Sequence, residues 1–124
     1  MSLGLSAPLA NLMLGVVEAN GYVYVKFHVG NPGATGTANP AAETRRLAVD
    51  WGVAADGSIV SVLDATLLAV AATETWTHYT LWNDAAAGTF GHSGQLPAGG
   101  KAVTAGDDVT VVAGSVSMTF PLAA

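Results

Sequence analysis

Three histidines, His28, His78 and His92, are the side chains best suited to chemistry in this chain. Three imidazoles are enough to hold a zinc ion. They fall on three separate stretches, with no H-x-H or H-x-x-x-H pair and no carboxylates gathered around them. That spacing reads as strand histidines at a surface or interface, and no metal site is expected. Gly91-His92-Ser93-Gly94 has the outline of a nucleophile elbow, but the elbow needs a glycine two residues after its serine, and Gln95 stands there. The flanks also read as strand on both sides, so a turn or bulge is expected instead. Asp107 and Asp108 are adjacent. On a strand, neighbours point to opposite faces, so this pair reads as an acidic turn. Glu18, Glu43, Asp50, Asp56, Asp64, Glu74 and Asp84 occur singly, mostly near turns, with no spacing that pairs a general acid with a base. Cysteine is absent, which removes thiolate nucleophiles, thiolate metal sites and disulfides. The expectation is a protein that is not an enzyme, with no catalytic residues and no cofactor. A hydrolase built on His92 and Ser93 is the weakest reading.

The aromatic residues carry more information. In Thr75–Trp82, alternation puts Trp76, His78, Thr80 and Trp82 on one face and Thr75, Thr77, Tyr79 and Leu81 on the other. Both faces carry bulk, so both should be covered, one by the core and the other by a neighbouring subunit or the N-terminal helix. A platform for stacking sugars is the functional alternative, weakened by the scarcity of nearby carboxylates and amides. Tyr22, Tyr24, Lys26 and His28 share a face opposite Val23, Val25, Phe27 and Val29. Tyrosine is enriched at interface cores. An interface face and an ordinary exposed strand face fit this pattern equally well.

The elements that hold these residues follow from periodicity and turn chemistry. Ser6-Ala7-Pro8 is an N-cap followed by proline in the first turn, and Leu9, Leu12, Met13 and Val16 recur at helical spacing. Asn20-Gly21 is a stop, so a helix is expected over about Ala7–Glu18, packed on the domain or on a neighbour. From Tyr22 to Val29 the period becomes two, the mark of a half-buried strand. Residues 30–42 contain Asn31-Pro32-Gly33, Gly36 and Asn39-Pro40 and form a long loop or arm, well above the usual connection of about 4–6 residues. A strand over Thr44–Trp51 should point Leu47, Val49 and Trp51 inward. Asp56-Gly57 signals a hairpin. Further strands are expected at Ile59–Leu63, Ala65–Val70, Thr75–Trp82, Thr89–Leu96, Val103–Thr104, Val109–Val112 and Ser115–Phe120, with a loop at Pro97–Gly100; the alanine-rich part of this run fits helix equally. Turn signals every 8–12 residues or so imply a sandwich or barrel.

Composition sets the class. The chain has 124 residues, enough for one domain, 1–124, with residues 1–20 as an N-terminal arm or helix. Half of it (51%) is hydrophobic and only 10% is charged, far below the usual quarter or so. A surface this neutral invites association. Net charge is −5, and the four cations, Lys26, Arg45, Arg46 and Lys101, are too scattered for a phosphate-binding stripe. Nucleic acid is therefore not an expected partner. No apolar run is long enough to span a bilayer, so a membrane is not expected either. The apolar Met1–Val17 segment lacks a cationic start and does not read as a signal peptide.

The order of motifs resembles a known group. After the short helix comes Tyr22-Val23-Tyr24-Val25-Lys26-Phe27-His28-Val29-Gly30-Asn31-Pro32-Gly33, a strand running into a His-x-Gly-x-Pro-Gly loop. Then come Arg46-Leu47-Ala48-Val49-Asp50-Trp51-Gly52, Thr77-His78-Tyr79-Thr80-Leu81-Trp82-Asn83-Asp84, Ala87-Gly88-Thr89-Phe90, Ser93-Gly94-Gln95-Leu96, Lys101-Ala102-Val103, Ala105-Gly106-Asp107 and Ala113-Gly114-Ser115. Over nearly the whole chain this resembles the small virion proteins of tailed bacteriophages, of the tail-fibre or minor tail protein type. The resemblance implies a structural role with no catalytic residues to carry over.

The expected fold is mainly β, an antiparallel sandwich or flattened barrel with one short N-terminal helix. The expected function is a tail-fibre or minor tail component of a phage virion, made in the host cytoplasm. It would act by symmetric assembly with itself, a trimer among the options, and with other virion proteins. The alternatives are a capsid decoration protein and a carbohydrate-binding module. The expected contact elements are the N-terminal helix, the 30–42 arm and the Tyr22/Tyr24 face. The expected interface residues are Tyr22, Tyr24, His28, Asn31, Pro32, Arg45, Arg46, Trp76 and Trp82.

Overall fold

The N-terminal helix forms where its caps place it. In the computed structural model, which describes residues 4–96, 99–114, 116–119 and 122, α1 spans Ala7–Ala19. The Ser6 side chain accepts from the Leu9 N–H, and Asn20 closes the other end by donating its backbone N–H to the Val16 carbonyl. Ala10 and Leu14 are buried beneath the helix, and the Asn11 side chain accepts from the Gly57 N–H.

Ten short strands follow among the described residues. They are β1 (Tyr24–His28), β2 (Leu47–Ala48), β3 (Ser58–Val60), β4 (Ala65–Leu67), β5 (Glu74–Trp76), β6 (His78–Trp82), β7 (Phe90–Gln95), β8 (Lys101–Val103), β9 (Val109–Val111) and β10 (Ser117–Thr119). One antiparallel sheet has the order β2-β1-β6-β7, with Val25 opposite Leu81 and Phe27 opposite Tyr79. The other pairs are β10-β3, β4-β9 and β5-β8. These pairs are nested. Thr119 faces Ser58, Val109 faces Leu67, Lys101 faces Trp76 and Phe90 faces Trp82. From Ser58 to Thr119 the chain is thus one long interrupted hairpin that turns between β6 and β7.

Where the ladder lapses, side chains bridge the gap. Ser61 Oγ accepts from Gly114 and Val116, Asp64 accepts from Ala113, Asp108 accepts from Ala69, and Thr73 accepts from Ala105. Backbone groups that lack a ladder partner are costly once water is excluded, so short polar residues recur at these interruptions.

The architecture is mainly β and antiparallel with one helix, consistent with a sandwich. The flattened-barrel alternative is corrected, because among the described residues no sheet closes on itself. The core gathers Leu14, Val25, Phe27, Leu47, Val49, Trp51, Ile59, Leu67, Val70, Trp76, Tyr79, Leu81, Val103, Val109 and Val116. Leu47, Val49 and Trp51 point inward as their alternation requires, although only Leu47–Ala48 pairs as strand. Asp56 and Gly57 both take positive φ (51° and 75°) and close the expected hairpin, with Ala55 bridged to Ser58.

Of the two readings of the alanine-rich stretch, strand holds at Ala65–Leu67, which pairs with β9, and ends before Leu68. One expectation is corrected. Thr75–Trp82 is two strands with a break at Thr77, whose N–H donates to the His28 carbonyl while its own carbonyl accepts from Leu96. Of the expected C-terminal strand Ser115–Phe120 and loop Pro97–Gly100, residues 115, 120, 97 and 98 lie outside the described residues.

Candidate functional site

The break at Thr77 decides where the tryptophans go. Trp76 turns to the core face, where its ring stacks on Phe27 with centroids 4.3 Å apart and planes 7° from parallel. Trp82 lies on the opposite face with Thr80 and His28. Trp76, His78, Thr80 and Trp82 therefore do not share one face, contrary to uninterrupted alternation.

On that second face, His28 and Thr80 are both fully covered. Ala38 O can only accept, so His28 Nδ1, 2.9 Å away, carries a hydrogen and donates to it. In the neutral ring Nε2 then accepts, and the Thr80 hydroxyl donates to it over 2.9 Å. Thr80 Oγ1 in turn accepts from Trp82 Nε1 at 2.7 Å. The result is a directed relay from Trp82 through Thr80 and His28 to the backbone of the 30–42 arm. Burial holds the His28 imidazole below its ordinary pKa, with Lys26 and His78 pushing the same way. The ring is neutral at physiological pH.

The cover over this face is the arm itself. It replaces the neighbouring subunit or helix expected from sequence. Asn31 builds the arm, with its side-chain oxygen accepting from Gly33 and its carbonyl accepting from the Asn39 amide. Pro32 is buried and its carbonyl accepts from Ala38. Gly36 has φ 72°, and a Cβ there would lie 2.5 Å from the Phe90 ring, so the arm presses on β7 at a point only glycine allows.

Two adjacent arginines tie the arm's far end down in opposite directions. Arg46 lies over the Trp82 ring, 4.3 Å from its centroid, and donates to the carbonyls of Asp84 and Ala87 in the β6–β7 turn. Arg45 is half exposed; it pairs with Glu43 at 2.6 Å and donates to the carbonyls of Leu68 and Ala69.

Glu43 and Glu74, which drew no attention as single acids near turns, are the anchors here. Buried Glu43 also accepts from the Ala71 N–H. Glu74 accepts from the N–H groups of Ala42 and Glu43 and from Trp76 Nε1. The Arg45 guanidinium and the Ala71 N–H hold the Glu43 carboxyl below its usual range against the opposing pull of burial. Burial raises Glu74 too, but its N–H donors outweigh that and leave it low.

The residues expected at an interface differ in how much surface they offer. His28, Pro32, Trp76 and Trp82 are covered by the chain itself and have little or no surface to offer. Arg45 and Arg46 are engaged within the chain. Tyr22 and Tyr24 are half-buried and Asn31 is exposed. The Tyr22 ring sits where a Gly91 Cβ would be, and it lines a groove of about 280 Å³ with Val16, Val17, Phe90 and His92. The sugar-stacking alternative loses its platform, since Trp51, Trp76 and Trp82 are all buried.

The hydrolase outline dissolves as well. Gly91–Gly94 lies within β7, where the register shifts at Gly91 between the Leu81–His92 and Trp82–Phe90 pairs, the bulge expected from the sequence, and Ser93 faces Thr80. Asp107 and Asp108 each accept from a backbone N–H, of Thr104 and Ala69 respectively. No group of three potential metal ligands occurs among the described residues. No helix there is long and apolar enough to cross a membrane.

The N-terminal helix, an expected contact element, contributes none of the expected interface residues. Leu9, Leu12, Met13 and Val16, the residues whose spacing announced the helix, are 46%, 72%, 41% and 53% exposed. The helical period was legible, but which side faced inward was not, because Ala10, Leu14 and Val17 form a second apolar side.

Comparison with curated proteins gave no match. A family model described as podophage GP4 fiber I protein gp80 matches residues 1–119. That span takes in every strand and the helix, so the nested hairpin, the pinned arm and the apolar helix face are those of a phage fibre-type structural protein, and the chain belongs to the podophage GP4 fiber I protein gp80 family.

Proposed function

We propose that the protein is a subunit of a tail fibre, or a minor tail protein, of a tailed phage, and that it works by homo-oligomeric assembly. The observation that carries the reading is the fibre-family match across residues 1–119. The sparse charge and the apolar outer side of α1 support assembly, since both lower the cost of bringing copies together. Contacts to other virion proteins would use the exposed rim of the arm around Asn31 and the half-buried Tyr22/Tyr24 face. The subunits would be made in the host cytoplasm before incorporation.

The test separates heads from tails. Purified phage is split into tail-less heads and free tails, and each fraction is probed by immunogold labelling and peptide mass spectrometry. The tail reading expects the protein on tails and its absence from heads. Retention on tail-less heads overturns it in favour of capsid decoration.

A further inference from the structure

We propose that the outward side of α1 is a homotypic seam, along which the helices of neighbouring copies pack in parallel. The inference rests on the assembly reading above and adds the surface that performs it.

The spacing is the first argument. Leu9, Leu12, Val16 and Ala19 are separated by three, four and three residues. That is the alternation of a and d positions in a heptad, the pattern by which one helix interlocks with another. Met13 widens the stripe on one flank, as in helices of bundles with more than two members. Gly15 lies on the other flank, where a Cβ would meet nothing within 4 Å, so a neighbouring backbone has room to approach. Ala10, Leu14 and Val17 occupy the remaining side and face the chain's own core. The helix therefore has two apolar sides, and its own domain uses one.

Charge identifies the occupant. The only charged residue of α1 is Glu18, which falls at neither a nor d. A helix at a solvent boundary ordinarily carries its polar residues outward. Here an acidic or basic partner would find no counter-charge. An identical uncharged stripe meets no repulsion, so a second copy of this chain fits best.

Length gives the last argument. Thirteen residues extend about 20 Å, under two full heptads, which is too short for a free coiled coil. This helix is already ordered by Ser6, by Asn20 and by the Asn11 bond to Gly57, so association does not have to fold it first.

The native chain has no cysteine, so each introduced thiol is unique. Leu9→Cys and Val16→Cys are each oxidised mildly, with Lys101→Cys on β8 as control. In parallel packing each seam variant links to itself, at least tenfold more than the control. In parallel, light scattering compares the native chain with Leu12→Glu, whose fold is checked by circular dichroism. The native chain is expected to be oligomeric and Leu12→Glu monomeric with an unchanged spectrum.

An oligomer that survives Leu12→Glu overturns the seam and leaves the fibre reading standing. So does seam cross-linking no greater than the control; a native chain that stays monomeric overturns the seam and, with it, the homo-oligomeric part of the fibre reading. If Leu12→Glu does not fold, the cysteine pair decides alone. The fibre reading fails separately, by absence of the protein from purified virions.

Discussion

The two faces of the β2-β1-β6-β7 sheet are covered by different physics. The inner face carries Val25, Phe27, Tyr79 and Leu81 and is sealed by other apolar groups, Trp76 above all. The outer face carries His28, Thr80 and Trp82 and is sealed by a loop of glycine, alanine, asparagine and threonine. Beyond Pro32 and Ala41 such a loop buries little apolar area, so burial alone does not hold it down. Directed hydrogen bonds and one cation over a ring do so instead. Non-directional burial tolerates small adjustments, whereas a directed relay fails when a single donor or acceptor is removed.

The largest effect expected from this contrast is on the inner face. Trp76→Ala removes a fully buried ring, its stack on Phe27 and a donor to Glu74. Loss of a buried aromatic costs about 3–5 kcal/mol. A loss of unfolding free energy in urea of less than a third of that would mean that the inner face does not carry the fold.

Next is the outer face. Thr80→Val preserves shape but leaves His28 Nε2 and Trp82 Nε1 without their common partner. Burying unsatisfied groups costs about 1–3 kcal/mol. Hydrogen exchange should rise at Ala38 and Ala41, whose N–H groups bond within the arm and to β1, and should change little at Val25 and Leu81. Equal loosening of both faces would erase the distinction between them.

The contrast also explains what the sequence revealed. The ends of α1 and the Asp56-Gly57 turn were readable because caps and tight turns are encoded within a few residues. Leu47, Val49 and Trp51 were readable from alternation. The break at Thr77 was not, because Thr75–Trp82 alternates without a flaw; the chain changes partner there, from β8 to β1 and β7. The arm's role was hidden for a related reason. Its residues have no hydrophobic period, and what holds it comes from His28, Glu74 and Arg46, all distant in sequence from the groups they bind. Glu43 is a lone acid in the sequence and becomes an anchor only once Ala71 and Arg45 converge on it.

A pH effect should separate the faces further. In the folded chain the His28 pKa lies below its unfolded value, so over the window between the two the unfolded state binds more protons. Stability therefore rises with pH through that window, and it falls as pH drops below about 6.5, by at most about 1.4 kcal/mol per unit for one such group. Burial lowers His92 as well, so it contributes with the same sign. His28→Asn and His92→Asn should each lose a part of the slope between pH 7 and 5. Exchange at Ala38 measured across the same range locates the weakening in the arm. A slope carried wholly by His92 would remove the outer face from the acid response.

The smallest expected effect tests geometry rather than charge. Arg46 does two things at once: its guanidinium covers Trp82, and Nη1 reaches the carbonyls of Asp84 and Ala87. Arg46→Lys keeps the positive charge but replaces a flat fork with a compact ammonium, which cannot lie on the ring and hold the turn together. A cation over a ring at a partly exposed site is worth about 0.5–1 kcal/mol, and the loss should be of that order. Arg46→Met keeps most of the apolar cover and removes both the charge and the donors. If the two variants lose the same stability, the guanidinium's shape is what matters. If lysine restores the native midpoint, charge alone pins the β6–β7 turn, and the outer face depends on direction less than the relay implies.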